Sequence, residues 1–174
     1  MAGLAHLGVG LAAKPLAPQV NVGYLILGAY ALDVVWFGCY LAGLEAFPRG
    51  SAPAPPAMYS HSLVMGSFWS IIFGAIAGWF AKSRRTGAVF ALVVFSHWVV
   101  DFISHPMTAI FPGDTGLPLA FQGSRLIGIG LYRDRLVLNL CEYGSFAAGL
   151  AIYVWTRLVM RKGQHAVNAS PRVS

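Results

Sequence analysis

Three ionisable residues stand at four-residue spacing in Ser96-His97-Trp98-Val99-Val100-Asp101-Phe102-Ile103-Ser104-His105. Side chains at i, i+4 and i+8 form one stripe on a helix, drifting about 40° per step. Neighbouring members of such a stripe can share a metal ion, or a carboxylate can orient the ring of a ligating histidine. His97 and His105 lie about 12 Å apart along the axis, too far for one ion. A single site would use one end of the stripe, and a two-metal site could use both. His6, Asp33, His61 and Glu142 add further groups of the same chemical types.

The surroundings make these groups costly. Hydrophobic residues are 57% and charged residues 10% of the 174-residue chain, against roughly 25% charged in soluble domains. A soluble enzyme, a disordered chain and a nucleic-acid binder are all excluded by that balance. The formal charge of +6 and the pI near 9.7 do not change this. The basic residues sit in short clusters between apolar runs, a membrane pattern rather than a basic face. Two cysteines, Cys39 and Cys141, are too few for a disulfide framework, although their similar depths leave one bond between neighbouring spans open.

Four stretches reach the roughly 20 apolar residues a bilayer requires. They run over about 19–44, 60–81, 86–105 and 135–160. A fifth, 2–13, is too short to span and reads as a half-helix or interfacial helix. The expected fold is therefore all-α: one integral membrane bundle of four transmembrane helices plus that short N-terminal helix. The tight turn Lys82-Ser83-Arg84-Arg85 makes spans two and three an antiparallel hairpin. Gly74-x-x-x-Gly78 offers a close-approach seam. The first outer loop, with Phe47-Pro48-Arg49-Gly50 and Ala52-Pro53-Ala54-Pro55-Pro56, cannot be helical throughout. The second, 106–134, is long and apolar, and should pack on the membrane surface or over a cavity. Residues 163–174 read as a polar, mobile tail.

Placing Lys14, Lys82, Arg84, Arg85, Arg157, Arg161, Lys162 and Arg172 inside leaves Arg49, Arg125, Arg133 and Arg135 outside. That favours cytoplasmic N- and C-termini. Measured from the outer span ends, His61 and His105 then lie at about 0–2 Å, Asp101 at about 6 Å, Glu142 at about 10 Å, His97 at about 12 Å and Asp33 at about 16 Å. One outward-opening polar pocket accounts for all of them. His6, about 12 Å above Lys14, would approach Asp33 and His97 from below.

Plainer readings exist for each residue alone. A histidine at a span end is ordinarily interfacial, and a single intramembrane aspartate often makes an ion pair or a packing hydrogen bond. Taken together, Asp33, Asp101 and Glu142 are acids with only histidines near them, which a bilayer interior penalises. A divalent cation would neutralise them, and protonation would do so without one. Tyr24, Tyr30, Trp36, Tyr59, Met65, Trp69, Trp98 and Tyr132 read as packing or interfacial residues.

Ala5-His6-Leu7-Gly8, Leu32-Asp33-Val34-Val35-Trp36, Tyr59-Ser60-His61-Ser62-Leu63 and Ser96-His97-Trp98-Val99-Val100-Asp101, in that order, resemble the bacterial inner-membrane metal-dependent hydrolases. That family is also described as LexA-binding, inner-membrane-associated hydrolases. The resemblance covers 2–105. Ile103-Ser104-His105-Pro106, Gly128-Ile129-Gly130-Leu131 and Glu142 look like a branch of the same group, extending it to about 160. The resemblance implies metal-assisted hydrolysis with His6, Asp33, His61, His97 and Asp101 as ligands, and no particular substrate. Val35 stands where many members carry a second acid, and Pro56-Ala57 where many carry His-Arg. Both differences favour one metal over two and permit a site without catalysis.

Three functions follow from these residues. The first is a metal-dependent hydrolase, zinc being the expected ion, opening to the outer leaflet of the bacterial inner membrane. Its substrate would be a membrane lipid or phosphoester, with Glu142 or His105 as general base. The second is a non-catalytic accessory subunit whose partners are membrane proteins, one variant carrying a haem or chlorin on a histidine. The third is an ion or proton carrier, disfavoured by four spans without an inverted repeat.

Overall fold

The computed structural model describes residues 3–46 and 56–169, with the side chains of 161–169 left aside. The proline-rich loop 47–55 and the end of the tail lie outside the described residues. The chain is mostly helical: α1 (Gly3–Ala12), α2 (Val22–Ala29), α3 (Ala31–Leu41), α4 (Leu63–Phe80), α5 (Arg84–Ser104) and α6 (Arg135–Ala169). A two-stranded hairpin, β1 (Leu117–Pro118) with β2 (Leu126–Ile127), and a short 3₁₀ turn at Leu131–Arg133 lie between α5 and α6. Among the described residues, three helical segments are long and apolar enough to cross a membrane: Leu63–Phe80, Arg84–Ser104 and Arg135–Met160. A fourth crossing exists if α2 and α3 count as one span, bent by 53°. Helix α6 runs beyond residue 160 into the segment read as a tail.

The expected first span is thus two helices. The break falls at Tyr30, whose φ of −102° and ψ of 5° belong to neither helix. No proline causes it. Its consequence is chemical, because carbonyls at a helix C-terminus lack an intrahelical partner. Ala29 O is one of these, and it faces the interior of the bundle.

Helices α4 and α5 form the expected hairpin, with Lys82 at φ 49° in the turn and Ser83 Oγ accepting from Thr86 N. The Gly74-x-x-x-Gly78 seam is where α5 approaches. A Cβ on Gly74 would lie 2.5 Å from Ala91 Cβ, and one on Gly78 would lie 3.2 Å from Gly87 Cα. A second seam joins α1 to α6, where a Cβ on Gly8 or Gly149 would run into the facing backbone. Helix α1 is about 15 Å long, too short to span. Packed against α6, α2 and α5, it carries His6 into the interior.

The long second loop folds back onto the bundle. Leu117 packs with Leu32, Val94 and Trp98, and Leu119 O accepts from Val64 N at the start of α4. Cys39 and Cys141 are free thiols, so no bond joins their helices. Lys14 is buried rather than displayed, its Nζ donating to Pro18 O and Val20 O. Burial, helped by Arg157, lowers its pKa.

Candidate metal centre

Four elements bring five side chains to one place. His6 comes from α1, Asp33 from the first turn of α3, His61 from the residue before the α4 cap, and His97 with Asp101 from α5. These are the five residues that the resemblance singled out as ligands. The stripe on α5 uses its His97–Asp101 end.

The ligating atoms converge. His61 Nε2 lies 3.1 Å from His97 Nε2. Asp101 Oδ2 lies 3.4 Å from the first and 3.3 Å from the second. Asp33 Oδ1 lies 3.6 Å from His61 Nε2 and 3.7 Å from His97 Nε2. On the other side of Asp101, Oδ1 faces His6 Nε2 at 3.3 Å. The His6 ring stacks on that of His97, with centroids 3.9 Å apart. His6, His97 and Asp101 are each 1% exposed and His61 is 6% exposed, whereas the Asp33 side chain keeps 20%. Access to the cluster therefore lies beside Asp33.

Separations of 3.1–3.7 Å suit ligands that share one ion. A tetrahedron with edges of about 3.4 Å has its centre about 2.1 Å from each corner, within the range for zinc–nitrogen and zinc–oxygen bonds. The buried cluster could hold a metal ion: His6, His97 and Asp101 form one group of neighbouring ligand atoms, and Asp33, His61 and His97 another. Among the described residues, His6 Nε2 and Asp101 Oδ1 are buried and face only each other, at 3.3 Å. Buried polar atoms are rarely left without a partner, so this contact ties His6 to Asp101.

Surrounding bonds point the lone pairs inward. His97 Nδ1 sits 2.7 Å from Ala29 O. A carbonyl only accepts, so Nδ1 carries a proton, and in the neutral ring Nε2 is then bare. His61 Nδ1 sits 2.7 Å from Ser60 Oγ, which donates to Glu45 Oε2 at 2.7 Å. Trp98 Nε1 donates to His61 O at 3.0 Å. Ser62 Oγ caps α4 by accepting from Met65 N. The Ser60-His61-Ser62 triplet thus has one serine for the ring and one for the helix.

The two candidate general bases have partners elsewhere. Glu142 Oε2 accepts from Leu4 N at 2.6 Å and Ala5 N at 3.0 Å, and Oε1 accepts from Tyr132 Oη at 2.9 Å. Its charge is met by the N-terminus of α1, so it was not an uncompensated acid. Burial and the Glu142 carboxylate push the Tyr132 hydroxyl strongly up, keeping it a donor. His105 Nδ1 lies 2.7 Å from Asp114 Oδ2 in the outer loop. Burial pushes the Asp114 carboxyl up, but His105 and the Met107 and Gly116 N–H groups outweigh it and hold the carboxyl below its usual value.

Sequence reasoning missed Glu45 and the Ala29 carbonyl, and treated Trp98 as packing alone. An acid at a span end carries no periodic signal, and a backbone carbonyl carries none at all. Tyr132 does more than pack, since its hydroxyl is the partner of Glu142. No protein-family model, curated protein or solved structure matches the chain.

Proposed function

We propose that the chain is a multi-pass protein of the bacterial inner membrane, termini cytoplasmic, that holds one zinc ion and hydrolyses a lipid or phosphoester. It would belong with the inner-membrane metal-dependent hydrolases that its motifs resemble. The observation that carries this reading is the pair His61 Nε2 and His97 Nε2, 3.1 Å apart, each also 3.3–3.7 Å from Asp33 Oδ1 and Asp101 Oδ2. A bound zinc ion would supply Lewis-acid activation of water and of the scissile group.

The residues divide the remaining work. Asp33 stands at the mouth, where substrate arrives. Phe37 and Leu41 continue its stripe on α3 toward the outer face and are exposed, an apolar edge leading to Asp33. His6 steadies Asp101 through Oδ1. Glu142 positions, since its carboxylate is occupied by α1 and Tyr132. His105 keeps the general-base role: Asp114 orients its Nδ1, and it lies about 6 Å along α5 from Asp101.

The test is elemental mass spectrometry on the chain purified in mild detergent, with His97→Ala and Asp101→Ala beside it. About one zinc per chain, lost in both variants, is the expected result. It would be followed by a screen of phospholipids and lipid phosphoesters in mixed micelles. No metal in the wild type after supplementation would overturn the reading in favour of an accessory membrane subunit.

A further inference from the structure

Glu45 lies four residues beyond the end of α3, and Ser60 lies just before His61. Glu45 Oε1 accepts from Tyr59 N at 2.7 Å and Ser60 N at 3.0 Å, and Oε2 accepts from Ser60 Oγ at 2.7 Å. Ser60 Oγ is also 2.7 Å from His61 Nδ1. Glu45 is 9% exposed and Ser60 is 0% exposed. A serine so enclosed is out of reach of a substrate, so the triplet is no nucleophilic dyad.

The direction of the chain is fixed by proton count. A carboxylate only accepts, and a hydroxyl has one proton. That proton is committed to Glu45, so Ser60 Oγ must accept from His61. Nδ1 then carries the imidazole proton, and Nε2 keeps its lone pair toward His97, Asp101 and Asp33. Partners of this kind outside the ligand sphere commonly set metal affinity. Resting on the metal-site reading above, we propose that Glu45 is a positioning residue that selects the metal-binding tautomer of His61 through Ser60.

The charge-free isostere reverses the polarity. In Glu45→Gln the amide oxygen still accepts from the backbone, but its NH2 donates to Ser60. Ser60 then turns its own proton toward Nδ1, and the imidazole proton moves to Nε2, where it blocks coordination. Zinc affinity should fall by about 10–100-fold, measured by competition with a chromogenic chelator. Adding Ser60→Ala in the same chain removes the reversed donor. The double variant should bind zinc more tightly than Glu45→Gln alone. A merely supportive Glu45 would make the double variant no tighter than the single one.

Nitrogen-15 spectra of histidine-labelled, metal-free wild type give a readout that needs no change at Glu45, with His61→Gln assigning the signal. A protonated Nδ1 is expected at His61. The opposite tautomer, or unchanged zinc affinity in Glu45→Gln beside a zinc-binding wild type, would overturn this inference alone. A wild type that binds no zinc would overturn the metal-site reading, and this inference with it.

Discussion

Asp101 turns one oxygen to each side of the cluster: Oδ2 meets the nitrogens of His61 and His97 at 3.4 and 3.3 Å, and Oδ1 meets His6 Nε2 at 3.3 Å. The two halves are unequal. Only the Oδ2 side gathers two further imidazoles with Asp33, whereas His6 reaches the cluster chiefly through Oδ1 and its ring stack on His97. Substitutions on the two sides should therefore differ. His97→Ala should bind no zinc, while His6→Ala should keep one zinc per chain at about tenfold lower affinity. Equilibrium binding with metal counting checks both, and two zinc ions per wild-type chain would refute the unequal division.

Metal binding to the folded state alone raises stability by about 2.7 kcal/mol at a free concentration one hundred times the dissociation constant. Thermal unfolding in detergent should show the wild type shifting upward with zinc and returning with a chelator. Asp101→Asn, lacking the carboxylate common to both sides, should show no zinc-dependent shift. An equal shift in that variant would remove Asp101 from the site.

Glu142 holds α1, and through it His6, by two backbone N–H groups and the Tyr132 hydroxyl. Because the Tyr132 proton is strongly retained, this network should persist through neutral pH. Glu142→Gln should cost about 1–3 kcal/mol, and Tyr132→Phe about 1 kcal/mol. Unfolding midpoints measure this. A Glu142→Gln chain of unchanged stability but lost turnover would restore the general-base role to Glu142.

Asp114 joins His105 to the N–H groups of Met107 and Gly116. Its carboxyl is held below its ordinary value in the folded chain, so the folded state binds its proton less readily than the unfolded state does. The resulting stability is complete above the unfolded value of about 3.9. It is lost as pH falls below that value and through the lower folded one. Hydrogen exchange in residues 105–116 should accelerate over that acidic window, and Asp114→Asn should be faster already at neutral pH. In the assay for lipid hydrolysis, Asp114→Asn should lower turnover while the bound zinc stays.

The α1–α6 seam makes a packing prediction. A methyl group at Gly8 meets the Ser145 backbone, whereas one at Gly144 meets nothing within 4 Å among the described residues. Gly8→Ala should destabilise by about 1–3 kcal/mol and weaken zinc binding by moving His6. Gly144→Ala should be neutral or slightly stabilising, as alanine favours a helix interior by about 0.5–1 kcal/mol over glycine. Equal effects at the two sites would mean that α1 is not wedged against α6.

Much of this protein was legible in one dimension because its determinants are local. Twenty-residue apolar runs fix which segments can cross a bilayer, and the turn at Lys82 fixes the hairpin. The i, i+4 spacing of His97 and Asp101 places both on one helical face whatever surrounds them. Their cost in an apolar setting marks them, with His6, Asp33 and His61, as residues that need a shared explanation.

Other features depend on contacts between segments far apart in the chain, and no local pattern encodes those. The first apolar run gives no sign of its bend at Tyr30, because neither proline nor a charge interrupts it there. Only packing against α5 turns the freed Ala29 carbonyl to His97. Glu142 looked like an unmatched acid until the fold set the α1 N-terminus against it, 137 residues away. Glu45 and Ser60, 15 residues apart, became partners only through the fold. The sequence by itself determined which residue types enter the apolar interior. Tertiary structure decided which of their lone pairs meet, because a proton's place on a ring depends on the neighbour that the fold supplies.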